Sequence, residues 1–168
     1  MKKLLCLLLI VAMLGCLCSC GSKGNTPEKP ANFYYCNKDI RFEGSNTVFT
    51  AEIREISGLN DTASILSLFL KGPESDDLSS PFPKGVQISA VEEIGSTINV
   101  IFTPELSQLT GPDLMTACVC TAMTLFDLAQ AETVIIKADG VLLDGRDSVL
   151  LTPDRLVFAD NLPPEEAE

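Results

Sequence analysis

Acidic side chains that could do chemistry together occur at three places in the sequence. They are the adjacent pairs Glu92-Glu93 and Asp76-Asp77 and the segment Asp144-Gly145-Arg146-Asp147. Two facing carboxylates could cleave a glycosidic bond, and several carboxylates around a loop could bind calcium. Neighbouring residues on a strand point to opposite faces, however, and no segment has the regular ligand spacing of a calcium loop. We therefore predict solvated turns at all three places, with no catalytic residue and no metal site.

The sequence contains no histidine and no tryptophan. Without histidine, the chain lacks the Ser-His-Asp and Cys-His catalytic groups and the histidine ligands of zinc and iron sites. Lys71 follows a predicted helix, where the helix dipole favours a cation, and Lys84 lies in a predicted loop. Composition thus favours a protein that is not an enzyme and needs no cofactor, although lysine and paired-carboxylate chemistry stay open.

Cysteine is the remaining reactive residue type, and four of the seven cysteines lie in the first 20 residues. Cys118 and Cys120 fall on a predicted helix, where residues two positions apart point to different sides and should not bridge each other. A single Cys-x-Cys pair also lacks the second pair that would complete a metal site. We interpret Cys36, Cys118 and Cys120 as small buried hydrophobic residues, and the sequence leaves open whether Cys36 pairs with a helix cysteine.

The amino-terminal segment combines a basic start, an apolar run and small residues. Lys2 and Lys3 precede an apolar run at residues 4–14, which is the order of a secretory signal peptide. The run is short for a membrane span, which needs roughly 20 apolar residues. Leu17-Cys18-Ser19-Cys20-Gly21 resembles the lipid-attachment motif of bacterial lipoproteins, with Cys16 as the second choice. We predict a diacylglyceryl group on Cys20 and anchoring to the outer face of the cytoplasmic membrane, because two acyl chains suffice for stable binding.

Charge and composition divide the chain into four parts. We expect a signal peptide at residues 1–19, a lipidated cysteine and flexible tether at 20–30, one folded domain at 31–160 and an acidic tail at 161–168. The formal net charge of the whole chain is −11. Cleavage before Cys20 would remove two lysines and make the mature chain still more acidic. Such a chain is repelled by nucleic-acid phosphates, so we expect no nucleic-acid partner.

The elements of the domain follow from periodicity and turn residues. Strands are predicted at residues 32–36 and 47–56, and a helix begins at Asn60-Asp61 and ends at Lys71-Gly72-Pro73. A hairpin turns at residues 93–96, and a second helix begins at Thr110-Gly111-Pro112-Asp113. Strands at 133–137 and, as a short last element, 148–152 complete the domain. The order β-β-α-β-β-α-β indicates a two-layer α+β domain with one mixed sheet and both helices packed on one face.

The second predicted helix is apolar nearly all round. One face carries Leu114, Cys118, Leu125 and Ala129. Beside it lie Met115, Val119, Ala122, Met123 and Phe126. A helix with this pattern is either deeply packed or presents a surface to a partner. We therefore predict the larger four of these residues, Met115, Val119, Met123 and Phe126, as a candidate partner surface.

An ordered set of short segments resembles a known family. The segments are 70–73 (LKGP), 82–86 (FPKGV), 98–102 (INVIF), 109–111 (LTG), 121–128 (TAMTLFDL) and 134–140 (VIIKADG). With the lipoprotein signal in front, they resemble the GerM-type domain of sporulation and spore germination (GerMN), in a single copy over about residues 33–143. The resemblance implies a non-catalytic module of anchored proteins in spore-forming Gram-positive bacteria, with the fold of ring-building domains and a role in protein–protein assembly.

Two classes of function follow. The first is a lipid-anchored module of the cell envelope, linked to sporulation or germination, that binds an envelope protein or itself. It predicts an exposed apolar patch or a free strand edge. The second is an extracytoplasmic binder of a small ligand or cell-wall fragment, or a weak wall hydrolase. It predicts a concave pocket with convergent polar groups.

Overall fold

The computed structural model describes residues 30–38, 48–56, 58–59 and 61–156. The strands are β1 (Pro30–Asn37), β2 (Phe49–Glu55), β3 (Leu78–Ser79), β4 (Ile88–Ile94), β5 (Thr97–Phe102), β6 (Thr133–Ala138) and β7 (Val149–Leu151). The helices are α1 (Thr62–Phe69) and α2 (Gly111–Ala129), and 3-10 turns occupy Pro104–Gln108 and Pro153–Arg155. The predicted signal peptide with Cys16 and Cys20, nearly all of the tether and the acidic tail lie outside the described residues.

The described strands form two hydrogen-bonded sheets. The first has the order β2-β1-β3 and is antiparallel, and the second has the order β4-β5-β6-β7 with β5 and β6 parallel. The predicted α+β class is confirmed, but the strands are divided between two sheets instead of forming one mixed sheet. The chain between β3 and β4 contains Pro81 and Pro83, which have no N–H to donate, and Gly85 at a φ of +89°. This segment connects the two sheets and belongs to no strand.

The two helices contact opposite sides of β1, which also differs from the prediction of one common face. Phe33 and Tyr35 point to α1, with ring centroids 5.8 and 5.0 Å from that of Phe69. Asn32 points the other way and donates a hydrogen bond to Asp127 of α2 at 3.0 Å. Successive side chains of a strand alternate between faces, so a strand flanked by two helices presents one set to each. α1 also contacts β4, while α2 contacts β6 and β7, so the helices link the two sheets.

The ends of both helices have local causes in the sequence. Asp61 caps α1, and its Oδ1 accepts a hydrogen bond from the Ser64 N–H at 2.8 Å. α2 begins after Thr110 with Pro112 in its first turn and Asp113 near the positive end of the helix dipole. α2 ends at Gln130, which has a left-handed φ of 51°. The predicted helix starts are confirmed, apart from Asn60, which lies outside the described residues.

Two predicted turns are also confirmed. β4 and β5 form a hairpin that turns at Gly95 and Ser96. The Asp144-Gly145 pair has φ angles of 50° and 78° and closes a second hairpin, in which Leu143 and Arg146 exchange backbone hydrogen bonds of 2.8 and 3.0 Å. A two-residue turn with both φ angles positive matches the twist of its flanking strands, and an Asp-Gly pair tolerates that conformation. This explains the acidic segment at residues 144–147 as a turn.

Candidate interaction site

The edge of β1 that faces away from β2 pairs with β3 at Cys36 and Asn37, and its preceding residues position helix α2. The Tyr34 N–H on this edge donates to the Thr124 hydroxyl of α2 at 3.1 Å. The same hydroxyl donates to the Cys120 carbonyl one turn earlier at 2.9 Å. Thr124 is completely buried, and its hydroxyl thus both accepts and donates a hydrogen bond. An uncovered strand edge would expose unpaired N–H and C=O groups. Covering it with α2 fixes which side of the helix faces inward.

A carboxylate at the last full turn of α2 strengthens this attachment. Asp127 Oδ2 accepts hydrogen bonds from Asn32 Nδ2 at 3.0 Å and from the Tyr34 hydroxyl at 2.7 Å. Burial and the hydrogen bond to Asp127 raise the pKa of Tyr34 to about 12. Tyr34 therefore remains a hydrogen-bond donor at neutral pH. Asp127 is occupied by these contacts and does not face a second carboxylate.

The outward side of α2 carries the four residues predicted as the partner surface. Met115 is 37% exposed, and Val119, Met123 and Phe126 are partly exposed. Their spacing of three to four residues places them on one face of the helix. We call these four residues the outer stripe. Val119 and Phe126 also touch the core with part of their surface, so the stripe is held in place by the domain that presents it.

The inward side of α2 explains the rest of its apolar composition. The buried residues are Leu114, Ala117, Cys118, Cys120, Thr121, Ala122, Thr124 and Leu125. Ala129, which was predicted to share a face with Leu114, Cys118 and Leu125, is exposed at the end of the helix. Within the described residues, α2 alone is long and apolar enough to cross a membrane by length and composition. In this fold that composition serves the core on one side and forms the outer stripe on the other.

Three further apolar residues, two after strand β6 and one in strand β7, are exposed. Val141, Leu142 and Leu150 are 39, 54 and 50% exposed. β7 pairs with β6 on one side and is the last strand of its sheet. This region therefore combines exposed apolar side chains with a strand edge. Leu150 therefore serves as a control position for experiments on the outer stripe.

The predicted carboxylate pairs do not form acid pairs. Glu93 Oε1 accepts a hydrogen bond from the Thr62 hydroxyl at 2.5 Å, whereas Glu92 Oε2 is 3.4 Å from Asn99 Nδ2. Asp76 and Asp77 lie in a turn, where their backbone carbonyls accept hydrogen bonds from Lys38. Within the described residues, no group of three or more Cys, Asp or Glu side chains could hold a metal ion.

Two clefts open on the described surface. One of about 360 Å³ lies between the end of α1 and the start of β4, where Ser67, Lys71 and Gln87 contribute its polar groups. The other, of about 210 Å³, lies beside Asn32 and Asp127. The first is lined by no carboxylate, and the second contains one carboxylate that is already hydrogen-bonded. Neither cleft has the two facing carboxylates of a glycoside hydrolase.

A buried arginine is the main feature that the sequence pattern did not indicate. Arg54 of β2 is 7% exposed, while its neighbour Ile53 is 70% exposed. Its guanidinium forms an ion pair with Glu52 and donates to the Gly72 carbonyl at 2.6 Å. The guanidinium carbon also lies 5.6 and 5.5 Å from the ring centroids of Phe33 and Tyr35. The alternation of β2 gave no signal for this, because the partners come from distant segments.

Glu52 connects this arginine to the turn after α1. Its carboxylate accepts hydrogen bonds from the backbone N–H groups of Glu74 and Ser75 at 3.0 and 2.9 Å. Burial raises the pKa of Glu52, but the hydrogen bonds from Ser75, Glu74 and Arg54 outweigh it, so the net pKa is lower than usual. Glu52 therefore remains ionised beside Arg54 at neutral pH. The network joins β2 to the turn and has a structural role.

The three described cysteines occupy two kinds of position. Cys118 and Cys120 are buried, as predicted, whereas Cys36 is only half-buried. Burial raises the pKa of Cys118 to about 12. The thiols of Cys36 and Cys120 are within hydrogen-bonding reach of each other, and this contact lowers the pKa of Cys36 and raises that of Cys120. All three are free thiols in this structure.

Comparisons with known proteins place this fold in a family. Residues 32–144 match the Germane family, described as sporulation and spore germination. No curated protein gave a match. Among solved structures, the tandem GerMN domains of the sporulation protein GerM from Bacillus subtilis are similar with a TM-score of 0.54 and 17% identity, over 77% of this chain and 46% of that chain. The first GerMN domain of the same protein gives a TM-score of 0.52 and 14% identity, over 71% and 91%.

These comparisons differ in what they establish. The structural likeness is below 25% identity and shows the fold alone, and the chain spans about half (46%) of the tandem structure. The family match covers more than half of the 168 residues, from β1 to the Asp144-Gly145 turn. The predicted resemblance to a GerMN-type domain is thereby confirmed. The chain belongs to the Germane family of sporulation and spore-germination domains.

Proposed function

We propose that this chain is a lipid-anchored protein of the cell envelope whose GerMN-type domain catalyses no reaction and binds another protein through the outer stripe of α2. The observation that carries the proposal is the apolar character of that stripe. Met115 is 37% exposed on the helix that covers the edge of β1. The outward side of a surface helix is usually polar, so an apolar outward side favours a partner.

The chemistry of the stripe suits recognition of a protein surface. Methionine and aromatic residues are enriched at the centre of protein interfaces, and the flexible methionine thioether adapts to irregular partners. The stripe contains two methionines, one valine and one phenylalanine. Charged residues are depleted from such centres, which matches the absence of Lys, Arg, Asp and Glu from these four positions.

The occupant we propose is a second GerMN-type domain. The GerM protein of Bacillus subtilis carries two such domains in tandem, and this chain matches 46% of that structure. A second domain, supplied by another copy of this chain or by another envelope protein, would provide the surface that a tandem relative carries within one chain. The net charge of −11 opposes close approach of two copies at low salt. Self-association should therefore strengthen as salt screens the charge.

Site-specific photocrosslinking in cells tests this contact directly. A photoreactive residue at position 119 should crosslink to a polypeptide that mass spectrometry identifies as a GerMN-type domain. The matched control position is Ile53, which is apolar and 70% exposed on the edge strand β2. A third probe at Leu150 reports on the edge of β7. Crosslinks at 53 or 150 without one at 119 would contradict the proposal.

The anchoring part of the proposal is supported by the amino-terminal sequence. β1 begins at Pro30, about ten residues after Cys20, and an extended tether of that length reaches roughly 33 Å. The domain would thus stand away from the outer face of the cytoplasmic membrane. Incorporation of labelled palmitate should be lost in Cys20→Ala and kept in Cys16→Ala. The opposite result would move the attachment site to Cys16, and label in both variants would argue against a single lipidated cysteine.

The cleft beside Lys71 favours one alternative function. Its Ser67, Lys71 and Gln87 side chains could bind an anionic small ligand or cell-wall fragment. Isothermal titration of the full chain with soluble wall fragments should show no heat of binding if the domain binds proteins alone. Saturable binding that Lys71→Met abolishes, with Lys84→Met as the control, would favour this alternative.

A further inference from the structure

The contacts between β1 and α2 follow a regular register. Asn32 bonds to Asp127 at 3.0 Å, and two residues later Tyr34 bonds to Thr124 at 3.1 Å. Two strand residues advance roughly 6.6 Å, and one turn of helix, three residues from Asp127 to Thr124 and four from Thr124 to Cys120, advances roughly 4.5–6.0 Å, so the same side of α2 follows the strand. The next step brings Cys36 beside Cys120. The neighbouring thiol lowers the pKa of Cys36 and raises that of Cys120, which agrees with this placement.

We propose that Cys36 and Cys120 are a modification site at which an intramolecular disulfide joins the end of β1 to the middle of α2. The register places both cysteines where β1 contacts α2, and both are free thiols in this structure. Cys118 lies two residues before Cys120 and therefore points to a different side of α2. It provides a control inside the same helix. The placement of the two cysteines is independent of the function proposed above, whereas the oxidising compartment rests on it.

The pair has an asymmetry that fits stepwise thiol–disulfide exchange. Cys36 is half-buried, whereas Cys120 is fully buried, so Cys36 is the sulfur that an external oxidant can reach. The Cys36 thiolate attacks a small-molecule or protein disulfide RSSR, which releases one RSH and leaves a mixed disulfide on Cys36. Cys120 then loses its proton and attacks the Cys36 sulfur, which forms the Cys36–Cys120 bond and releases the second RSH. The two cysteines are oxidised, and the external disulfide is reduced to two thiols.

This disulfide would act on a large part of the chain. It closes a loop from residue 36 to residue 120, and cross-linking a long loop restricts the unfolded chain strongly. It would also fix α2 to the strand edge that it covers. Disulfides form and persist in the compartment outside the cytoplasmic membrane. The compartment is part of the proposed function, but the thiol contact itself is not.

Peptide mapping of the full chain tests the bond. Two samples are compared. One is protein from its own cells, quenched in acid and alkylated, and the other is purified full chain in detergent treated with oxidised glutathione. Both are digested with trypsin without reduction. Cys36 lies in peptide 24–38 and both helix cysteines lie in peptide 85–137. We expect these two peptides linked, with the link kept in Cys118→Ala and lost in Cys120→Ala. A link that survives in Cys120→Ala, or two alkylated thiols in both samples, would overturn the proposal.

A thermal unfolding series checks that the variants fold and that the bond connects these elements. In reductant, Cys118→Ala and Cys120→Ala should unfold at similar temperatures, because both remove one buried sulfur from the same helix. Under oxidising conditions the Tm of the wild type and of Cys118→Ala should rise by about 5–15 °C. The Tm of Cys36→Ala and Cys120→Ala should not change with redox state. An equal rise in Cys120→Ala, or no rise in the linked wild type, would contradict the assignment.

Discussion

Arg54 and the outer stripe of α2 depart from the usual distribution of side chains in opposite directions. Arg54 is a charged residue with 7% exposure, and the stripe is an apolar surface that includes Met115 at 37% exposure. Charged residues are rarely buried unless they are paired, and apolar surface helices usually turn their apolar face inward. Both regions therefore need an explanation, and the explanations differ.

The difference lies in where the partners are. Arg54 finds Glu52, the Gly72 carbonyl and two aromatic rings within the domain, so its burial is explained by the fold. The outer stripe has internal contacts on one side only, since Val119 and Phe126 touch the core while the stripe as a whole stays partly exposed. An anomaly with internal partners indicates a structural role. The outer stripe stays partly exposed within the described domain, and it is this surface that the proposed partner would cover.

Replacing Arg54 should cause the largest loss of stability among these predictions. Arg54→Met keeps apolar volume but leaves the Glu52 carboxylate, whose side chain is 13% exposed, without its paired cation. We expect a loss of about 3–5 kcal/mol in the free energy of unfolding, measured by chemical denaturation. The control is Arg146→Met, at an exposed turn residue, which should change stability by about 0.5 kcal/mol or less. Similar losses in the two variants would show that the Arg54 network is not structural.

The hydrogen bond that fixes α2 to β1 should have the next largest effect. Thr124→Val removes the hydroxyl that accepts from the Tyr34 N–H and leaves that donor unpaired. The expected loss is about 1–3 kcal/mol. Thr121→Val is the matched control, because the Thr121 hydroxyl bonds to Ala117 within the same helix. A Thr121→Val variant as unstable as Thr124→Val would mean that the contact with β1 does not orient the helix.

Acid should weaken the Arg54 region through Glu52. The folded-state pKa of Glu52 lies below its ordinary value of 4.5, so ionised Glu52 stabilises the fold fully above that pH. The stabilisation is lost as the pH falls through the folded-state pKa. Thermal unfolding between pH 6 and pH 3 should show a smaller loss of Tm in Glu52→Gln than in the wild type. Parallel pH profiles for the two proteins would contradict the assignment.

Local features of this fold could be predicted from the sequence. The Asp61 cap, the start of α2 at Gly111 and the Asp144-Gly145 turn each depend on a few consecutive residues. The outer stripe follows from helical periodicity, because residues at positions 115, 119, 123 and 126 must share a face once the helix is assigned. These predictions needed no knowledge of which elements pack together.

The remaining features depend on contacts between distant segments. The division into two sheets depends on which strands pair, and periodicity does not specify the neighbour of a strand. Arg54 is buried because the segment after α1 packs against it, where the Gly72 carbonyl accepts its hydrogen bond and Glu74 forms an ion pair with it. Cys36 meets Cys120 for the same reason, since both lie on the boundary between β1 and α2. Such contacts become visible only when the elements are assembled.

Changing the outer stripe should have the smallest effect on stability and the largest on association. Met115→Gln with Met123→Gln keeps side-chain length and helix propensity, so the free energy of unfolding should change by about 0.5 kcal/mol or less per site. The matched control combines Ile94→Gln with Leu150→Gln, two apolar residues that are 66 and 50% exposed away from the stripe.

The central claim is that the outer stripe is the interaction site. It is tested most directly by light scattering of the full chain in detergent across a concentration series, alone and with the GerMN-type domain identified by crosslinking. The account predicts association that the stripe double variant weakens at least about tenfold, equivalent to about 1.4 kcal/mol, and that the control double variant leaves unchanged. Association that is unaffected by the stripe variant, or a strict monomer with every partner tested, would contradict the assignment of the outer stripe as the interaction site.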